Sequence, residues 1–232
     1  MILYNIVLFP YAGGSSYSYM EYIHGLEKIG RVYLIDYAGH GKRFKEKPAN
    51  TFIEVLDDVE RQMEKLPKEN LVLFGHSMGA LIAAYTAMRM YMRHNVSILN
   101  LILSCCVSPD KIKQNMVKNT SKDELIHYLY NERNIPIETI MSKKFQKYFW
   151  PVIKNDFDII REFEYIEMHL HNCSLYCIYA DNDPIAKYED VLNWKSYTNN
   201  SCSFIKVEGG HFFFEEKTNF LYNFLRDIIK EM

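Results

Sequence analysis

Ten residues, Leu71-Val-Leu-Phe-Gly-His-Ser-Met-Gly-Ala80, restrict the fold more tightly than any other stretch of the chain. Residues 71–74 form a short apolar run that reads as a buried strand. A Gly-x-Ser-x-Gly pattern follows, and then the small apolar positions of a helix begin. Strand, tight turn and helix in that order make a nucleophile elbow. A Cβ at Gly75 or Gly79 would collide with the neighbouring strand or helix, so glycine lets the chain turn sharply and expose Ser77. The hydroxyl then stands at a helix N-terminus, where amide dipoles favour developing negative charge. Ser77 is the candidate nucleophile.

Elements on either side repeat the strand–helix alternation. Residues 3–9 read as a first strand ended by Pro10, followed by the glycine loop Tyr11-Ala-Gly-Gly-Ser-Ser16, a helix over 19–27 and a strand over 31–35. Thr51 and Glu54 have capping-box spacing and open a helix striped by Phe52, Val55, Leu56, Val59, Met63 and Leu66, with Pro67 as its stop. After the elbow, residues 99–105 give a fourth strand. Such alternation predicts an α/β fold, a mostly parallel sheet flanked by helices, with right-handed crossovers. Between about 109 and 172 no strand is convincing. A second capping box (Ser121, Glu124) and a helical pattern broken at Pro151, then resumed over 152–165, indicate an inserted helical lid. Its aromatics Phe145, Tyr148, Phe149, Trp150, Phe157 and Phe163 either line an acyl pocket or pack the lid onto the body. Strands over 174–180 and 202–207, a helix over 189–194 and a final amphipathic helix complete one domain spanning residues 1–232.

Composition removes several classes of function. With 27 basic and 29 acidic residues, the net charge of −2 offers no field for nucleic acid or an anionic membrane. No apolar run reaches membrane-spanning length, and the start of the chain lacks the pattern of a signal peptide. Five cysteines without framework spacing (Cys105, Cys106, Cys173, Cys177, Cys202) read as reduced thiols of a cytoplasmic protein. No zinc-type motif occurs, and His169 and His171 read as alternate polar residues near a helix end rather than metal ligands.

A serine at the end of the third strand needs a base and an orienting acid from loops at the same edge of the sheet. Asp181-Asn-Asp-Pro184 follows the fifth strand, and Glu208-Gly-Gly-His-Phe212 follows the sixth. The order serine, acid, histidine is that of α/β-hydrolases. His211 is the candidate base. Of the two aspartates, Asp183 is preferred because Pro184 fixes a turn that can aim its carboxylate, whereas Asp181 reads as a capping residue. The oxyanion needs two amide donors: Met78, after the nucleophile, and one from the first glycine loop, with Ala12 preferred and Tyr11 next.

These segments resemble the type II thioesterases of nonribosomal peptide and polyketide assembly lines, α/β-hydrolases related to the medium-chain acyl thioesterase of animal fatty acid synthesis. Phe9-Pro-Tyr-Ala-Gly-Gly14 is similar to the family's F-P-H-A-G-G segment, with Tyr11 in the histidine position. Leu73-Phe-Gly-His-Ser-Met-Gly-Ala80 matches its nucleophile segment without a change, and Trp150-Pro-Val-Ile-Lys-Asn-Asp-Phe157 resembles its L-P-x-x-R-A-D-F. Tyr37-Ala-Gly-His-Gly-Lys-Arg43 departs from P-G-R-G-x-R: His40 stands where the family has an arginine. The resemblance implies hydrolysis of acyl thioesters on the phosphopantetheine arm of a carrier protein, with no cofactor, in an editing role, with Asp183 as the acid. The chain is expected to act as a monomer. Lys111, Lys113, Lys118, Lys122, Lys143, Lys144 and Lys147 are a candidate docking face for an acidic carrier, or an ordinary solvated surface. A carboxylesterase using the same residues, or a non-catalytic carrier-binding module, are the competing expectations.

Overall fold

The computed structural model describes residues 3–112, 121–216 and 219–230. Six strands, β1 (Tyr4–Phe9), β2 (Gly30–Leu34), β3 (Leu71–His76), β4 (Ile98–Ser104), β5 (Ser174–Ala180) and β6 (Cys202–Val207), pair in parallel in the order β2-β1-β3-β4-β5-β6. Every residue of β1 and β3 is buried, which is why both read as unbroken apolar runs rather than alternations. The chain leaves β1 toward β2, then returns across β1 to lay down β3 and proceeds outward to β6. That reversal between β1 and β3 creates a crevice at the C-terminal rim of the sheet, the place where such sheets bind ligands.

Helices α1 (Met20–Leu26), α2 (Phe52–Met63) and α3 (Met78–His94) cover the sheet. A 3-10 turn, Ser16–Tyr19, precedes α1 and absorbs the start of the longer helix expected there. At Thr51 only half of the expected capping box forms. The hydroxyl accepts from Glu54 N–H at 3.2 Å, but the Glu54 carboxylate turns to Asn50 N–H at 2.6 Å. Helix α2 ends before Leu66 and Pro67, so the proline follows the stop instead of making it. Buried Glu60 joins α2 to α3 through Arg93 at 2.8 Å and Arg89 at 3.2 Å.

Between β4 and β5 the described residues include the helices α4 (Lys122–Asn131), α5 (Ile137–Ile140), α6 (Lys143–Tyr148) and α7 (Trp150–Arg161), and no strand. The Ser121–Glu124 capping box closes in both directions. Pro151 lies in the first turn of α7, so it opens that helix, which stops at Arg161 short of the expected 165. His169 and His171 therefore sit beyond the helix, flanking an isolated bridge at Leu170, with their rings edge to face at 4.6 Å. After β5 come α8 (Tyr188–Val191) and a 3-10 stretch, and after β6 come α9 (Phe213–Glu216) and α10 (Phe220–Lys230). No helix among the described residues is long and apolar enough to cross a membrane.

Contact between backbones is closest where α3 leaves β3. A Cβ on Gly79 would fall against the carbonyl oxygens of Phe9 and Pro10, backbone atoms that cannot rotate away. Gly79→Ala should cost about 1–3 kcal/mol of stability in urea denaturation. Gly210→Ala, whose Cβ would meet only a carboxylate oxygen of Glu132 at 3.8 Å, should stay within about 0.5 kcal/mol of the parent.

Candidate active site

Ser77 occupies φ 54°, ψ −121°, a strained region for a residue with a side chain. Its N–H donates to Ser104 O at 2.8 Å and its carbonyl accepts from Ala80 N–H at 3.0 Å, so both neighbours of the turn hold it. The hydroxyl makes no capping bond to α3. Ser77, Met78 and Ala12 line one wall of an apolar cavity of about 80 Å³. Leu81, Cys105 and Cys106 continue it from the body, while Tyr128, Phe157 and Ile160 roof it from α4 and α7. Of the six aromatics expected as pocket or packing residues, only Phe157 lines this cavity. Phe145 packs among the inserted helices, Phe163 against Phe52 and Tyr85, and Tyr148 and Phe149 face outward.

Asp183 and His211 arrive from the loops after β5 and β6. His211 Nδ1–H donates to Asp183 Oδ2 at 2.8 Å, and both side chains are fully buried. The other carboxylate oxygen accepts from Ile185 N–H at 2.8 Å and Ala186 N–H at 3.0 Å, in the turn that Pro184 starts. Burial pushes the Asp183 carboxyl up, but the His211 bond and the two amides outweigh it and hold it below the usual carboxylate value. Asp181 instead accepts from Gly209 N–H at 3.0 Å and faces Lys206 at the surface. With Nδ1 committed, neutral His211 carries its lone pair on Nε2. That atom is buried and has no hydrogen-bond partner, Ser77 included. The ring lies 4.9 Å from that of His76, the residue next to Ser77.

The surroundings leave His211 without a competitor. Burial, then the proximity of His211 and Arg133, drives His76 well below the usual histidine range, so it stays neutral. Its Nδ1 is 3.0 Å from Ser104 Oγ. Cys105 lies with Asp183 and His211, their candidate ligand atoms all within 4.8 Å of one another. Burial first, and the Asp183 carboxylate second, push its thiol well up, so it remains an uncharged neighbour rather than a rival nucleophile. The other group with metal-ligand spacing among the described residues, Glu60, Glu64 and His94, already has the Arg89 and Arg93 guanidiniums on Glu60. Tyr11 sends its hydroxyl away from the cavity to Glu215 Oε1 at 3.0 Å, and the Arg133 guanidinium covers the Tyr11 and Phe212 rings at 4.3 and 4.2 Å.

Two contacts here were not foreseen from the sequence. Asp156 of α7 accepts from Gly13 N–H at 2.6 Å and pairs with His40 Nε2 at 2.8 Å. Both residues stand in the segments compared above, but only the spatial neighbourhood gives them a task.

Comparison with known proteins places these observations in a family. The thioesterase domain profile matches residues 4–231. The chain is 26% identical over 222 residues to the human medium-chain S-acyl fatty acid synthase thioesterase, covering 93% of this chain and 83% of that one. It is 24% identical to the gramicidin S biosynthesis protein GrsT of Aneurinibacillus migulanus, over 93% of this chain and 85% of GrsT. Among solved structures, ClbQ from the colibactin NRPS/PKS pathway superposes with a TM-score of 0.89 at 20% identity, covering 99% of this chain and 98% of ClbQ. The type II thioesterase YbtT from the yersiniabactin pathway superposes at 0.84 with 19% identity, over 98% and 92% of the two chains. The α/β-hydrolase architecture expected from the strand–helix alternation together with the order serine, acid, histidine is thus shared along nearly the whole length, and the chain belongs to the thioesterase domain family.

Proposed function

We propose that this chain is a serine thioesterase that hydrolyses acyl groups from the phosphopantetheine arm of carrier proteins, acting as an editing type II enzyme. The reading is carried by His211: one ring nitrogen fixed by Asp183, the other buried and unpartnered, beside an elbow that holds Ser77 strained. An acceptor left bare in an apolar site costs about 1–3 kcal/mol, which a proton from Ser77 would recover.

In the forward reaction His211 Nε2 takes the Ser77 proton as Oγ attacks the thioester carbonyl. Negative charge moves to the carbonyl oxygen, which the amides of Met78 and Ala12 receive. Collapse of the tetrahedral adduct breaks the C–S bond, and His211 returns its proton to the departing sulfur. A thiol with a reference pKa of about 8.5 leaves with little help, so the second half should lean more on the base. There His211 removes a proton from water, the hydroxyl attacks the acyl-serine, and Ser77 is regenerated with release of the free acid. Asp183 keeps the imidazole in the required tautomer and stabilises the imidazolium.

The helices between β4 and β5 act in this reading as the lid. Lys143, Lys144 and Lys147 are exposed on α6 beside the outward rings of Tyr148 and Phe149, a mixed basic and apolar face suited to an acidic carrier. Lys122 lies 5.2 Å from the centre of the Trp150 ring, Lys111 is half-buried, and Lys113 and Lys118 lie outside the described residues.

Ser77→Ala should lower the rate of release from an acyl-loaded carrier, followed by mass spectrometry, by about 10⁴-fold or more. A parent enzyme that cleaved aryl esters but no thioester would favour the esterase alternative. Reversing Lys143, Lys144 and Lys147 to Glu should raise KM for the carrier substrate and leave a small acyl thioester unaffected. Asp183→Asn should keep the fold and lower kcat by about 10⁴-fold. Because the folded carboxyl of Asp183 titrates below its ordinary value, its stabilisation is complete above that value and is lost as pH falls through the lowered one. The urea midpoint of Asp183→Asn should therefore vary less than the parent's between about pH 5 and pH 2.

A further inference from the structure

The glycine loop that would supply the second oxyanion donor is a defined turn. Gly14 N–H donates to Tyr11 O at 2.8 Å, and Gly13, third of the four residues, has φ +73°. That combination is the type II geometry, which differs from type I by a flip of the middle peptide. The middle peptide here joins Ala12 to Gly13, and its N–H is the one that Asp156 Oδ2 accepts at 2.6 Å. A flip would remove that bond and turn the Ala12 carbonyl oxygen toward the Asp156 carboxylate, while the Ala12 N–H, on the preceding peptide, keeps its direction. Ile153, one turn earlier on α7, closes over the same place, since a Cβ on Gly13 would come within 2.6 Å of its Cγ1. The carbonyls just upstream are also held, Phe9 O by Tyr19 OH at 3.0 Å and Pro10 O by Tyr37 OH at 2.8 Å.

Asp156 is aimed by His40. Both side chains are 3% exposed. Nε2 of His40 faces Asp156 at 2.8 Å and Nδ1 faces Ala38 O at 3.1 Å, so each nitrogen meets an acceptor and both need a proton. Both contacts are met together when the ring is an imidazolium. The charged and titratable groups around it are Asp156 from α7 and Asp36 and Tyr37 from its own loop. Burial lowers its proton affinity, yet the Asp156 carboxylate, the Ala38 carbonyl and Asp36 outweigh burial and raise it above the ordinary value of 6.5.

We propose that Asp156 is a positioning residue that locks the Tyr11–Gly14 turn in its type II form, and that protonated His40 holds it there. The lid helix thereby fixes the place of the loop that carries the Ala12 amide, and turnover depends on the charge of His40. The proposal rests on the thioesterase reading for Ser77, Met78 and Ala12.

The sign of the pH effect follows. A raised histidine value means the pair is intact below the ordinary value and weakens as pH rises through the raised one. A neutral ring keeps one proton, so either Asp156 or Ala38 O then faces a lone pair. The parent enzyme should show an alkaline fall in kcat as His40 loses its proton. His40→Gln should be slower at every pH and lack the alkaline limb. His40→Arg, charged throughout, should lack that limb at higher activity than His40→Gln. Asp156→Ala should lose about 10- to 100-fold in kcat per folded molecule with KM within about twofold. Affinity for an acyl trifluoromethyl ketone, whose adduct needs the oxyanion hole, should fall in the same proportion. Asp156→Asn, which keeps an oxygen for Gly13, should lie between.

An activity-free measurement is the Gly13 amide proton in the nuclear magnetic resonance spectrum. It should lie far downfield, move upfield as His40 titrates, and lose its shift in Asp156→Ala. Unchanged kcat in Asp156→Ala, a loss confined to KM, an alkaline limb that survives His40→Gln, or an unshifted Gly13 amide would each overturn the clamp. An inert parent, or full activity in Ser77→Ala, would instead sink the underlying thioesterase reading, while the amide measurement still tests the clamp.

Discussion

The molecule depends on how closely three backbones approach at the end of β3. Gly75 lets the strand pass against Gly79 and Ala80, and Gly79 lets α3 press on the Phe9 and Pro10 carbonyls. Between these two contacts Ser77 has no relaxed conformation available and takes φ 54°. Such strain persists only where surrounding packing over-determines it. Here the fully buried β1 and β3 do so, which joins core packing directly to the exposure of one hydroxyl.

Two buried aspartate–histidine pairs share the same 2.8 Å separation. What distinguishes them is the second ring nitrogen. In His40 it faces a carbonyl, so the ring is satisfied only as a cation. In His211 it faces no partner, so the neutral ring retains a lone pair to use. Chemistry that exchanges a proton needs the second arrangement, and chemistry that holds a shape needs the first.

The sheet was legible because its central strands are apolar runs buried on both faces and its strands are bounded by proline, glycine or polar residues; β5 and β6 fall on the expected 174–180 and 202–207. The loops after β3, β5 and β6 could be assigned to one rim because parallel strands send all their C-terminal ends the same way. Pro184 separated Asp183 from Asp181 in the sequence, and in the structure two amides of the turn it starts aim at the Asp183 carboxylate. Legibility failed where neighbours compete for one group. Glu54 had the spacing to close a box on Thr51 but found Asn50 instead. The aromatic pattern between β4 and β5 could not say which ring faces the cavity, since helix rotation and tertiary contacts decide that. Asp156 meets Gly13 across 143 residues of chain, and no local pattern encodes such a meeting.

The roofed cavity of about 80 Å³ is roughly half the size of an engineered cavity that takes up benzene. Its walls are almost wholly aliphatic, aromatic or thiol. Fit in such a space is judged by bulk alone, at roughly 1–3 kcal/mol for each methylene gained or missing. A space of that size and lining suits a short, unadorned aliphatic group better than a bulky or heavily functionalised one.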